Sequence, residues 1–134
     1  TDFSERLIEK ARTGLYTQFE VQRGLPIRKL IAHFEKSGDL WRIGDRLRAS
    51  VRFDPHNLLR APSNLGKFDV VLCCHVLGSF DAETRLAVLG RIAETLTPSG
   101  VLVLGAGETL PENAPGLTLE NGLAIRKPGA RQAA

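Results

Sequence analysis

The stretch Phe68-Asp69-Val70-Val71-Leu72-Cys73-Cys74-His75-Val76-Leu77-Gly78-Ser79-Phe80-Asp81 constrains the fold of this chain more than any other part of it. An unbroken apolar run ends in a polar, glycine-containing turn, and a helical pattern follows directly. That is how a buried parallel strand hands over to a crossover helix in an α/β domain. Ligand chemistry in such domains gathers at the carboxyl ends of strands. The residues that close this run therefore decide what the domain can do.

The flanking sequence extends the pattern. Asp81 is placed to cap the next helix, with Glu83 near its positive end. Leu86, Leu89, Ile92, Ala93 and Leu96 form that helix's apolar stripe, Pro98-Ser99-Gly100 breaks it, and Val101 to Leu104 reads as another buried strand. Leu117 to Leu119 and Leu123 to Ile125 flank Glu120-Asn121-Gly122, a strong hairpin signal. Upstream, Ser4 can cap a helix carrying Leu7, Ile8 and Ala11 and ending at Thr13-Gly14. Pro26 suits the first turn of a second helix, with Ile27, Leu30, Ile31 and Phe34 on one face and Ser37-Gly38 as its stop. Trp41 to Ile43 and Val51 to Phe53 read as short strands. Two parallel strands joined by a helix, then a terminal hairpin, match the second half of a class I methyltransferase sheet. The expected architecture is α/β, a partial Rossmann-like sheet lacking its first strands. Residues 1–127 are expected to belong to one such domain portion, and 128–134 to form a flexible tail.

Composition narrows the setting. An apolar fraction of 43% and a charged fraction of 25% describe an ordinary globular protein. No apolar run reaches the roughly 20 residues needed to cross a bilayer, and no signal peptide is present. The two cysteines are adjacent, which suits neither a disulfide framework nor a C-x-x-C zinc site, and points to a reducing cytoplasm. A net charge of +3 is too small to argue for nucleic acid. Arg42, Arg46, Arg48 and Arg52 make a basic cluster, either a solvated face or a dock for an acidic partner. The chain starts at Thr1-Asp2, holds no methionine and lacks a glycine-rich loop after an early strand, as expected of a piece of a longer protein.

The wording of several segments is more specific. Tyr16-Thr17-Gln18-Phe19-Glu20-Val21-Gln22-Arg23-Gly24-Leu25-Pro26 resembles a segment of the chemotaxis receptor methyltransferases, the CheR family. So do Phe53-x-Pro55-x-Asn57-Leu58-Leu59, Phe68-Asp69-Val70, Val76-Leu77, Phe80-Asp81-x-Glu83-Thr84 and Leu96-x-Pro98-x-Gly100. The resemblance runs in order from Thr1 to about Leu110 and implies an enzyme dependent on S-adenosyl-L-methionine that methylates glutamate carboxylates of chemoreceptors. It implies that Asp2 holds the ribose hydroxyls of the cofactor, a task that suits a carboxylate acceptor; the alternative is a helix N-terminal acid. It implies that Asn57 and Leu58 cradle the adenine, the alternative for Asn57 being a plain turn residue. Cys73, Cys74 and His75 fall on the cofactor wall, and Glu108 matches a family glutamate, read here as structural.

The chain departs from the family at that wall. Where the family usually reads C-R-N-V-L-I-Y-F, this chain reads Cys73-Cys74-His75-Val76-Leu77-Gly78-Ser79-Phe80. The arginine becomes Cys74, the asparagine His75 and the tyrosine Ser79. A guanidinium can place a glutamate carboxylate bidentately, and a thiol cannot. No residue is therefore assigned a catalytic role. A metal site or a Cys–His nucleophile pair at residues 73–75 is disfavoured, because adjacent strand residues point to opposite faces. Three readings follow: the C-terminal part of an active protein-glutamate methyltransferase; a degenerate, non-catalytic module for signalling-protein interaction or cofactor sensing; and an enzyme for a different acceptor. The chain by itself is expected to be inactive, to bind the cofactor weakly or not at all, and to pair or swap through a bare strand edge.

Overall fold

In a computed structural model that describes residues 1–121 and 123–127, the chain divides into two units, Thr1–Asn57 and the part from Leu58 onward. In the first unit Ser4 opens helix α1, Glu5–Thr13, by accepting the Leu7 amide at 3.4 Å. Gly14 closes it at φ 65, where a side chain is strained and a Cβ would lie 2.8 Å from Ile43 Cγ2. Strand β1, Leu15–Thr17, leads into α2, Gln18–Gln22, through a capping box of Thr17 and Glu20. Helix α3, Ile27–His33, follows Pro26 as its N-cap. Strands β2, Phe34–Ser37, and β3, Leu40–Ile43, with β1 form an antiparallel sheet in the order β1-β3-β2. Helix α4 spans Asp45–Ala49.

Two expectations fail in this unit. The second helix stops at His33 rather than Ser37, because Phe34 pairs with Ile43 as the first residue of β2. The apolar spacing that put Phe34 on the helix face is overridden by the strand ladder. Val51 to Phe53 forms no strand either. The segment beyond it makes only a single parallel bridge, Asp2 to Pro55, supported by the His56 amide donating to the Asp2 carbonyl at 2.9 Å.

The second unit is built on β4, Phe68–Cys73, α5, Ala82–Thr95, β5, Leu96–Leu104, and the hairpin β6, Leu117–Glu120, with β7, Leu123–Arg126. The sheet order is β4-β5-β7-β6. β4 and β5 run parallel, with Val70 opposite Val101 and Cys73 opposite Leu104, and the hairpin joins antiparallel. β4 thus lies at an edge of this sheet, and it ends at Cys73. Asp81 caps α5, its Oδ1 accepting the Thr84 amide at 2.8 Å. The helix buries Val88, Leu89, Ile92 and Ala93 against Cys73, Leu102, Leu117 and Ala124. Leu86 is only half-buried, and Leu96 is buried as the first residue of β5, not the last of the helix. Alternation along β4 turns Val71 and Cys73 to this core and leaves Val70 53% and Leu72 72% exposed on the other face. Gly122 and the tail from Pro128 lie outside the described residues.

Candidate functional site

Because β4 and β5 are parallel and in register, their carboxyl ends finish side by side at Cys73 and Leu104. The Cys73 thiol faces the core, and burial pushes its pKa up, with the Glu108 carboxylate and Cys74 acting in the same direction. Cys74 is exposed, its thiol 3.9 Å from the Val103 carbonyl. At His75 the chain turns through φ 58, the left-handed region that asparagine and histidine enter more readily than most residues. Its amide donates to Glu108 Oε2 at 2.7 Å, and the Gly105 amide donates to the same oxygen at 2.7 Å.

Glu108 is held below the ordinary carboxylate range chiefly by the His75 amide, then by the Gly105 amide, with His75 and Arg85 adding smaller electrostatic contributions. Gly105 is required for space rather than for its backbone angle. A Cβ there would sit 2.7 Å from Glu108 Oε2 and from His75 Cε1 and Nε2. From α5, Arg85 donates through Nε to the Leu77 carbonyl and through Nη2 to the Phe80 carbonyl, each at 3.2 Å. Ser79 Oγ donates back to the Val76 carbonyl at 2.7 Å, within its own turn. Beyond the β5 end lies an open trough of about 290 Å³, walled by Leu104, Gly105, Glu108, Thr109, Leu119 and Leu123 among others.

The structure brings Cys73, Cys74 and His75 together with Gly105, Glu108 and Arg85 in the second unit. Leu58 packs on the core of that unit. Asp2 and Asn57 belong to the first unit. Asp2 is exposed, its Oδ1 accepts the Ser4 amide at 2.8 Å, and its backbone bridges to Pro55, two residues before Asn57. Of the basic cluster, Arg42 and Arg48 each lie 3.2 Å from Asp45, and Arg52 pairs with Asp54. Among the described residues, no group of three or more His, Cys, Asp or Glu is arranged to hold a metal ion, and no helix is long and apolar enough to cross a membrane. Sequence reasoning missed Gly105 and Arg85. The signal was there for Gly105, in Gly105-Ala106-Gly107-Glu108 directly after an apolar strand.

A parallel pair whose ends form a polar turn, extended by an antiparallel hairpin in the order β4-β5-β7-β6, defines part of a Rossmann-like methyltransferase sheet. Residues 1–122 match the family described as CheR methyltransferase, SAM binding domain, and the chain belongs to that family. It is 40% identical over 111 residues to Chemotaxis protein methyltransferase 1 of Pseudomonas aeruginosa, covering 82% of this chain and 40% of the relative. It is 37% identical over 111 residues to Chemotaxis protein methyltransferase 1 of Vibrio cholerae, with the same coverage. To the Escherichia coli chemotaxis protein methyltransferase it is 32% identical over 113 residues, covering 81% of this chain and 39% of the relative. The chain thus spans about two fifths of the length of these relatives.

Proposed function

We propose that this chain is the C-terminal part of a protein-glutamate O-methyltransferase that uses S-adenosyl-L-methionine and acts on chemoreceptors in cytoplasmic signal transduction. The observation that carries the reading is the strand-end turn at residues 74–80, held from both sides beside the end of β5. Asp2 would accept from the vicinal ribose hydroxyls, a task that suits an exposed carboxylate. Asn57 would meet the polar edge of the adenine and Leu58 its face, while Cys73, Cys74 and His75 would line the wall beside the methionine end. The cofactor supplies an electrophilic methyl group on a sulfonium. The acceptor glutamate is already ionised, so the protein's part is placement and charge screening.

That part is depleted here. No side chain from Cys73 to Ser79 other than His75 can be cationic, and Arg85 is committed to the Leu77 and Phe80 carbonyls. These observations favour a second reading, a non-catalytic methyltransferase-like module that docks a signalling protein or senses the cofactor. Residues 1–134 alone should transfer no methyl group. Turnover of a receptor-helix glutamate by them would sink that expectation. Calorimetry of the full-length protein with S-adenosylhomocysteine separates a cofactor binder from a bare scaffold. If it binds, Cys74→Arg with His75→Asn should raise methyl transfer at least about tenfold; no gain would leave the module reading. The uncovered β4 edge, with Val70 and Leu72 exposed, should make the isolated chain pair with a second copy. A clean monomer in light scattering at high concentration would count against this.

A further inference from the structure

Amides just past the last rung of a parallel ladder have no strand partner and must find another acceptor. At this strand end two of them, from His75 and Gly105, find the same oxygen of Glu108. Arg85 takes the opposite polarity, the carbonyls of Leu77 and Phe80. The turn that carries residues 74–80 is thus gripped by a carboxylate on its amide side and a guanidinium on its carbonyl side. The left-handed backbone at His75 needs such external support, since a non-glycine residue adopts it at a cost. The His75 ring occupies space that any side chain at position 105 would claim. Its place therefore depends on both Gly105 and the clamp.

We propose that Glu108 is a positioning residue for the cofactor wall: through the His75 and Gly105 amides it fixes the left-handed turn and so sets how Cys74 and His75 are presented to an adenosyl ligand. The inference rests on the methyltransferase reading of this strand end. Among the described residues, the Glu108 side chain accepts from these two main-chain amides rather than from a core partner whose loss would loosen the sheet at large. The groups that act on the carboxylate are His75 from its own turn, Arg85 from α5 and the Cys73 thiol at the end of β4. Ionisation strengthens both amide bonds, as charge-assisted hydrogen bonds are the stronger kind.

The test uses the full-length protein carrying this chain, with wild type, Glu108→Gln and Glu108→Ala compared. Calorimetry reads the affinity for S-adenosylhomocysteine, and NMR reads the His75 and Gly105 amide protons. A glutamine carbonyl can still accept both amides, so Glu108→Gln should bind within about threefold of wild type, while Glu108→Ala should lose about tenfold or more. In wild type both amide protons should resonate downfield and move upfield together as pH falls below the ordinary carboxylate range. In Glu108→Gln that titration should vanish. A Glu108→Ala protein that melts earlier but binds as tightly as wild type would show that Glu108 only stabilises the fold. Equal losses in both variants, or amides that titrate independently, would overturn the clamp. Wild type that fails to bind at all overturns the methyltransferase reading and the cofactor role with it, while the amide titration still decides whether the clamp exists.

Discussion

Three carboxylates held below their ordinary range, Glu20, Asp81 and Glu108, each accept a main-chain amide, and they shape the chain's response to acid. Glu20 is lowered from 4.5 to about 2, first by its bond with Lys10 and then by the Thr17 amide. Asp81 is lowered by its bonds with Thr84, and Glu108 by the His75 and Gly105 amides. A group whose folded pKa is depressed contributes stability above its unfolded value and loses it as pH falls through the folded value. Urea midpoints should therefore hold down to about pH 5 and fall between there and pH 2, and Glu20→Gln should flatten the lower part of that fall. Gly14→Ala should cost about 1–3 kcal/mol in the same assay, because position 14 combines φ 65 with a 2.8 Å approach to Ile43. Some of these residues were legible in the sequence. Ser4 and Asp81 cap amides three residues on, and such local bonds follow from spacing. The Glu108 to His75 bond joins residues 33 apart, and no local rule reaches that far.

Elements with a long apolar period were readable, and short ones were not. Helix α5 and the β6–β7 hairpin fall close to their expected positions, since each carries several turns or a marked reversal of pattern. Strands β1 and β2 span three and four residues with little buried surface, and nothing in their sequence distinguishes them from helix ends. Phe34 is the instructive case: its spacing fits α3, yet it pairs with Ile43. The two faces of the larger sheet should respond differently to substitution. Leu89→Ala, at a fully buried position of α5, should cost about 2–5 kcal/mol. Leu72→Lys, at a position 72% exposed on β4, should change stability by less than about 0.5 kcal/mol and reduce self-association in light scattering.

At the scale of the molecule, the division at Asn57 and Leu58 is followed by a stretch, Leu59 to Lys67, without helix or strand. Limited trypsin should cut first after Arg60, which is exposed within it, and mass spectrometry should find fragments ending at Arg60 and starting at Ala61. Cleavage within α5 before any cut after Arg60 would contradict this division. The family was legible from ordered words along the chain, but the state of the wall at residues 74–79 was legible only as a set of replacements. What the structure adds is where its fastenings lie. They end on main-chain atoms: the amides of His75 and Gly105, the carbonyls of Leu77 and Phe80. The side chains at 74, 75 and 79 are panels on this frame, and none of these four fastenings runs through them. Such a wall can exchange its chemistry over generations and keep its outline, so a descendant that no longer reacts can still be mistaken, by shape, for one that does.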